Sequence, residues 1–190
     1  MKVKDCLNPG QILCVSPDLL EECLKSAGYF RLKAQRLRHF CRWYLAAGGF
    51  DALQSWPTHA LRSTLLAVHG IGPETADDML LYAFERPVFV IDAYTRRLAQ
   101  RLRWIIGNPS YDKLQQLFEH SLPNEVSLYN QYHALIVIHA KTRCRKQKPK
   151  CESCLLQSAC HYTRDHPPAD PSPLNTASTC FTRRGGNRAV

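Results

Sequence analysis

The chain has 190 residues, 45% of them hydrophobic, and its 25 Lys and Arg outnumber 16 Asp and Glu to give a formal charge of +9. That length suits one compact domain or two small ones with a fillable core, and the positive balance suits a polyanionic partner. No apolar run approaches the roughly 20 residues that cross a bilayer, and no signal peptide opens the chain, which argues against a membrane protein and a secreted disulfide scaffold. The expected setting is a reducing cytoplasm, where clustered cysteines bind metal more often than they cross-link.

In chain order, residues 1–15 show little pattern beyond the turn signal Asn8-Pro9-Gly10. Ser16 then suits an N-cap, Pro17 the first helical position and Asp18 the helix dipole, with Leu19, Leu20, Cys23, Leu24 and Ala27 on one face and Gly28 at the end. A second helix is predicted over Leu32 to Ala47. Leu37, Phe40, Cys41 and Tyr44 form its apolar side, Lys33, Arg36, Arg38 and Arg42 lie on other faces, and Gly48-Gly49 closes it. That basic side reads as a solvated face rather than a phosphate contact. Thr58 is placed to cap a third helix with Leu61, Leu65 and Leu66 inward.

The third helix ends in Gly70-Ile71-Gly72, and Pro73 starts a fourth that runs to about Phe84. Pro87 breaks the pattern, and Val88 to Ile91 form a short buried connector. Helices follow near 93–103, 111–121 and 126–140. Residues 164–190 carry four prolines and no periodic apolar face, which predicts a flexible tail. Without convincing strand pairing the fold class is all-α.

The densest chemistry lies between Val68 and Asp92. A tight glycine turn that feeds a helix N-terminus points N–H groups outward beside the positive end of a dipole, which suits a phosphate. An ordinary helix–turn–helix corner with a glycine cap reads equally well on those residues alone. Asp92 follows the connector at the start of the next helix, where it serves as an N-cap, as a rigidly aimed carboxylate, or as both. Glu74 sits in a first helical turn, where the dipole favours an acid.

Downstream, Cys144, Cys151, Cys154 and Cys160 are separated by six, two and five residues. Four thiolates from one short loop hold zinc or an iron–sulfur cluster, and only Cys151 and Cys154 have the separation of a zinc knuckle. Arg145, Lys146, Lys148 and Lys150 fall inside that loop and offer a phosphate-contacting patch. The scattered Cys6, Cys14, Cys23, Cys41 and Cys180 read as packing or unpaired thiols. His133 and His139 lie on an apolar helix and read as core or hydrogen-bonding residues. Tyr82 and Tyr94 offer flat rings for stacking, although aromatics at helical spacing are usually core. Lys141 is near the cysteine loop, where its amine suits an anionic partner or a carboxylate.

The run Gly70-Ile71-Gly72-Pro73-Glu74-Thr75-Ala76, with Val90-Ile91-Asp92 and the cysteine spacing after His133-Ala-Leu-Ile-Val-Ile-His139-Ala-Lys141, resembles the endonuclease III superfamily of DNA glycosylases. The resemblance spans about Leu19 to Cys160. It implies a helix-hairpin-helix DNA glycosylase fold with a 4Fe–4S cluster loop on Cys144, Cys151, Cys154 and Cys160, the cluster being structural. It divides the chain into a partial helical barrel over 1–86 (hairpin about 58–84), an iron–sulfur lobe over 87–163 carrying the catalytic Asp, and the tail. His69, Gly70, Ile71, Gly72 and Thr75 would then contact DNA, together with the loop cations. The implied partner is double-stranded DNA with a damaged base, flipped into a pocket, bound by a monomer in a bacterial or archaeal nucleoid-associated cytoplasm.

Asp92 takes the family's catalytic aspartate position, stabilising the positive sugar and directing a water at the glycosidic bond. Glu74 departs from the family. Its bifunctional members have a lysine there that forms a Schiff base. A carboxylate forms no such adduct, so a monofunctional enzyme is expected, similar to the 3-methyladenine glycosylases related to endonuclease III and acting on alkylated purines. The alternatives are a truncated, catalytically silent iron–sulfur DNA-binding protein and a bifunctional glycosylase and abasic-site lyase. The former arises because residues 1–15 lack the family's N-terminal helix with pocket and wedge residues, so part of the pocket is expected to be absent.

Overall fold

The computed structural model describes residues 8–167. Ten α-helices lie among them: α1 Pro9–Cys14, α2 Pro17–Leu24, α3 Phe30–Ala46, α4 Gly49–Gln54, α5 Thr58–Ala67, α6 Pro73–Tyr82, α7 Ala93–Arg101, α8 Tyr111–Ser121, α9 Val126–Thr142 and α10 His161–Asp165. No strand occurs among the described residues. Most of the expected tail, residues 168–190, lies outside them, as do Cys6 and Cys180.

Several helix starts follow local chemistry. Ser16 accepts from the Leu19 N–H at 3.3 Å with Pro17 in the first turn, as its sequence implies. Asn8-Pro9-Gly10 is not a free turn: Asn8 accepts from the Gly10 N–H at 2.8 Å and starts α1. Arg38 of α3 reaches back to the carbonyls of Leu13 and Val15, covering the end of that short helix. Gly49 does not simply end α3 but opens α4, with Gly48 and Gly49 at φ 91° and 77°. Thr58 is the first helical residue of α5 rather than its cap, and Pro57 precedes it.

Buried side chains fall into three groups. Ile12, Leu20, Ala34 and Cys41 join α1, α2 and α3. Leu53, Leu61, Leu65, Ala76, Leu80, Phe84 and Val88 join α4, α5 and α6. The third group packs α7, α8 and α9 around Phe89, Val90 and Ile91. Adjacent residues of α6 serve both sides, Leu80 in the second group and Leu81 in the third. Phe89 is fully buried, stacked on Phe118 at 4.5 Å and edge-on to Tyr129 at 5.3 Å.

The connector Val88–Ile91 is buried yet has no strand partner among the described residues, so its backbone groups need bonds from elsewhere. Helix α8 supplies them. Glu119 accepts from the Phe89 N–H at 2.9 Å, Gln115 donates to the Phe89 carbonyl at 2.8 Å, and the Tyr111 hydroxyl accepts from the Ile91 N–H at 3.2 Å. Gln115 also donates to Asp77 of α6 at 2.8 Å, and Arg62 of α5 grips that fully buried carboxylate through two bonds of 2.6 and 3.0 Å. Arg62→Ala leaves Asp77 buried without its counter-charge. Urea unfolding is expected to show a loss of about 3–5 kcal/mol, the cost of stranding a buried ion.

Candidate active site

Connector and α7 together place Asp92. Its side chain caps α7, accepting from the Thr95 N–H at 2.6 Å, and its other carboxylate oxygen lies 3.6 Å from Nε2 of His133 on α9. His133 is 6% exposed, and Nε2 has no hydrogen-bond partner in the structure, whereas its Nδ1 is 2.6 Å from the Tyr82 hydroxyl at the end of α6. The two sequence readings of Asp92 therefore coexist: it is a helix cap and it is fixed in direction.

Helix α6 faces this point with Glu74, Asp78 and Tyr82, four residues apart and so along one face. Burial pushes the Glu74 carboxyl up, and the negative charges of Asp92 and Asp78 push it further. Asp78 is raised likewise, by burial first and then by Asp92 and Asp77, with His133 opposing. Burial works on Asp92 in the same sense but is outweighed by His133 and Thr95, which hold its carboxyl below the ordinary range. Neighbouring acids are thus driven apart, two toward the protonated form and Asp92 toward the ionised one.

Sequence reasoning missed Asp78; it read His133 as a core or hydrogen-bonding residue, and the ring is both buried and bonded, but its approach to Asp92 was not foreseen. Asp78 was recoverable, lying one turn after Glu74 on the same face. The approach of His133 to Asp92 depends on how α9 crosses the start of α7, which no local pattern encodes. Tyr82 is 43% exposed with its hydroxyl on His133, while Tyr94 lies under Arg97 at 5.2 Å and Lys141 at 5.7 Å.

At the hairpin the two glycines differ. Gly70 has φ 93°, and a Cβ there would come within 2.3 Å of Arg36 Cγ, so the fold itself requires glycine. Gly72 has φ −99° and open space where a Cβ would go; neither conformation nor packing demands glycine. It precedes α6, whose N-terminus has no side-chain cap and begins with Pro73. His69, Gly72 and Thr75 are exposed, Gly70 and Ile71 partly so, and His69 meets the His39 ring edge-on at 5.1 Å.

The cysteine loop attaches to the far half of α7. Arg97 donates to the carbonyls of Cys144 and Ala140 at 2.9 and 3.3 Å, and Arg101 to Cys144 Sγ at 3.0 Å and to the Arg145 and Lys146 carbonyls at 2.9 and 3.3 Å. Cys144, Cys151, Cys154 and Cys160 are free thiols lining one pocket walled by Leu98, Leu102 and Leu156. No three His, Cys, Asp or Glu among the described residues are gathered closely enough to hold a metal ion. Arg145, Lys146, Lys148 and Lys150 are all exposed.

Glu74, Asp78 and Asp92 thus gather beside the buried imidazole of His133, while the uncapped start of α6 and the exposed cations of the 145–150 loop offer positive potential to an anion. Over residues 1–124 the chain matches the family described as HhH-GPD superfamily base excision DNA repair protein, and it belongs to that family. A protein of Methanocaldococcus jannaschii, provisionally named a DNA repair glycosylase, is 40% identical over 163 residues, covering 84% of this chain and 74% of the relative. A solved non-covalent endonuclease III–DNA complex shares the fold with a TM-score of 0.72 at 23% identity, over 84% of this chain and 71% of that one. The H. pylori 3-methyladenine DNA glycosylase bound to 1,N6-ethenoadenine matches with a TM-score of 0.61 at 30% identity, over 72% of this chain and 68% of that one. These findings bear out the all-α helix-hairpin-helix glycosylase fold and a DNA glycosylase of the endonuclease III family in base-excision repair. No helix among the described residues is long and apolar enough to cross a membrane.

The carboxylate arrangement carries a stability signature. A raised folded-state carboxyl removes stability as pH rises through the ordinary carboxylate range to the raised value, and the deficit persists above it. Asp78→Asn is therefore expected to raise Tm at neutral pH, a gain that shrinks on acidification as the native carboxyl protonates. Asp92 has the opposite sign: its contribution is present at neutral pH and is lost as pH falls through its depressed value. Differential scanning calorimetry across pH checks both.

Proposed function

We propose that the protein is a monofunctional DNA glycosylase that removes alkylated purines, with Asp92 as the catalytic carboxylate. The observation that carries this reading is the rigid, ionised Asp92 beside a glutamate rather than an amine at position 74. Rupture of the glycosidic bond leaves positive charge on the sugar, which a fixed, partly desolvated carboxylate stabilises while directing a water to the anomeric carbon. Glu74 has no nucleophilic nitrogen, so no Schiff base forms there and the abasic strand is left intact. Glu74 lies beside the lesion, and with Asp78 and Asp92 it makes a negative environment that favours a cationic alkylated base over a neutral one. The likeness to a 3-methyladenine glycosylase supports the same substrate class.

In this reading the hairpin holds phosphate. His69, Gly70, Ile71, Gly72 and Thr75 line it, and the bare face of Gly72 is where backbone approaches the strand most closely. Arg145, Lys146, Lys148 and Lys150 add a second run of phosphate contacts. Cys144, Cys151, Cys154 and Cys160 hold a 4Fe–4S cluster: four free thiols face one apolar-walled pocket, an arginine N–H already meets one sulfur, and a four-iron group sets its ligands further apart than one ion does. When bound, the cluster ties the basic loop into a fixed shape. The protein acts as a monomer on duplex DNA, with 1–86 as the hairpin lobe and 87–163 as the lobe that aims Asp92.

Base release from alkylated duplex DNA under single turnover is the direct test. Asp92→Asn is expected to abolish release while leaving DNA affinity within about threefold, and borohydride is expected to trap no adduct on abasic DNA; undiminished release or a trapped adduct would overturn the assignment. Gly72→Ala is expected to change stability by less than about 0.5 kcal/mol yet weaken DNA binding. Neutralising all four loop cations is expected to make the log–log salt dependence of DNA binding shallower by up to about 4. Iron analysis and visible absorption of the purified protein check the cluster.

A further inference from the structure

The imidazole of His133 on α9 is buried between the end of α6 and the head of α7, with one nitrogen bonded and the other open. Nδ1 lies 2.6 Å from the Tyr82 hydroxyl, and Nε2 lies 3.6 Å from Asp92 Oδ2. An unbonded buried ring nitrogen has a desolvation cost that an apolar residue would not carry. The ring therefore sits where it does at the expense of stability, facing the one carboxylate that the proposed chemistry uses.

Its protonation pattern follows from its neighbours. Burial first, and then the charges of Asp78 and Asp92, push the Tyr82 phenol up, so it remains a hydroxyl. If Nδ1 carried the only ring proton, the bare lone pair of Nε2 would point at the Asp92 carboxylate. With the Tyr82 hydroxyl donating to Nδ1, the proton is on Nε2 and points at Asp92, an attractive arrangement. The titratable groups facing this ring are Glu74, Asp78 and Tyr82 from α6 and Asp92 at the head of α7, all of them acids.

We propose that His133 is a positioning residue for Asp92: held by Tyr82 as the Nε2-protonated tautomer, it donates toward Asp92 and, together with the Thr95 N–H, aims that carboxylate at the sugar. Each Asp92 oxygen then has one donor, the Thr95 amide on Oδ1 and His133 on Oδ2. The 3.6 Å separation closes to a hydrogen bond when substrate excludes water from the site, as catalytic contacts do between free and bound enzyme.

This inference rests on Asp92 as the catalytic carboxylate, and two measurements separate its failure from that of the function. In single-turnover base release from alkylated duplex DNA, His133→Ala is expected to slow the chemical step by at least about tenfold with DNA affinity little changed. Its acid limb is expected to move to higher pH, because Asp92 loses the partner that favours its ionised form. His133→Gln, which keeps an N–H donor of similar reach, is expected to recover much of the rate and of the acid limb. Tyr82→Phe, which removes the hydroxyl bonded to Nδ1, is expected to fall between wild type and His133→Ala. A lowered Tm in His133→Ala with an unmoved rate and acid limb would show a purely structural role and overturn the proposal.

Nitrogen-15 spectra of the His133 ring and carboxyl carbon-13 titration of Asp92 in the free protein give an answer even for a protein that releases no base. The expected result is an Nε2-protonated ring and an Asp92 titration that moves to higher pH in His133→Ala. An Nδ1-protonated ring, or an Asp92 titration indifferent to His133, would overturn the proposal independently of activity.

Discussion

The fully buried carboxylate of Asp77 is the constraint on which the rest of the arrangement depends. Arg62 grips it from α5, Gln115 donates to it from α8, and it belongs to α6, so three helices meet at one side chain. An ion in that position is tolerable only because its oxygens are satisfied and a counter-charge lies beside it. The same Gln115 amide turns to the Phe89 carbonyl, which transmits the fixed geometry into the connector. A peptide segment without strand or helix bonds is thereby held as firmly as a strand, and the carboxylate at its end inherits that precision.

From Asp92 the order continues along α7. The first turn of that helix presents the carboxylate, and its later turns carry Arg97 and Arg101 into the carbonyls and one sulfur of the cysteine loop. Nine residues of helix therefore join Asp92 to the basic loop as one strut. The hairpin and the loop, proposed to hold phosphate, are each joined to the Asp92 region through short helices, α6 on one side and α7 on the other. For a reaction whose substrate is an extended polymer, that fixes the distance between where the polymer is held and where one of its units reacts.

Much of this was legible in the sequence where the physics is local. Ser16-Pro17-Asp18, the Gly70-Ile71-Gly72-Pro73 corner and the buried run before Asp92 are each short-range signals, and the helices around them are present. What escaped had long-range causes. Gly48-Gly49 reads as a terminator, but glycine also permits the positive φ from which α4 restarts. Asn8 reads as a turn residue because the helix it starts is only one and a half turns long and is held by Arg38 from a distant segment. Asp77 looks like any helical acid until α5 and α8 close on it. His133 looks like core because its apolar helix context is real, and only the crossing of α9 over the start of α7 turns its ring toward Asp92.

The connector has a dynamic consequence. In a sheet or helix an amide is protected from solvent exchange by its own element, and it exchanges when that element frays. Here the Phe89 and Ile91 amides are bonded to Glu119 and Tyr111, side chains of α8. Their deuterium uptake is governed by the undocking of side chains 30 and 20 residues away in the chain rather than by local fraying. Those two amides belong to the same cooperative opening unit as α8, and their exchange reads the integrity of the Asp92 mount directly.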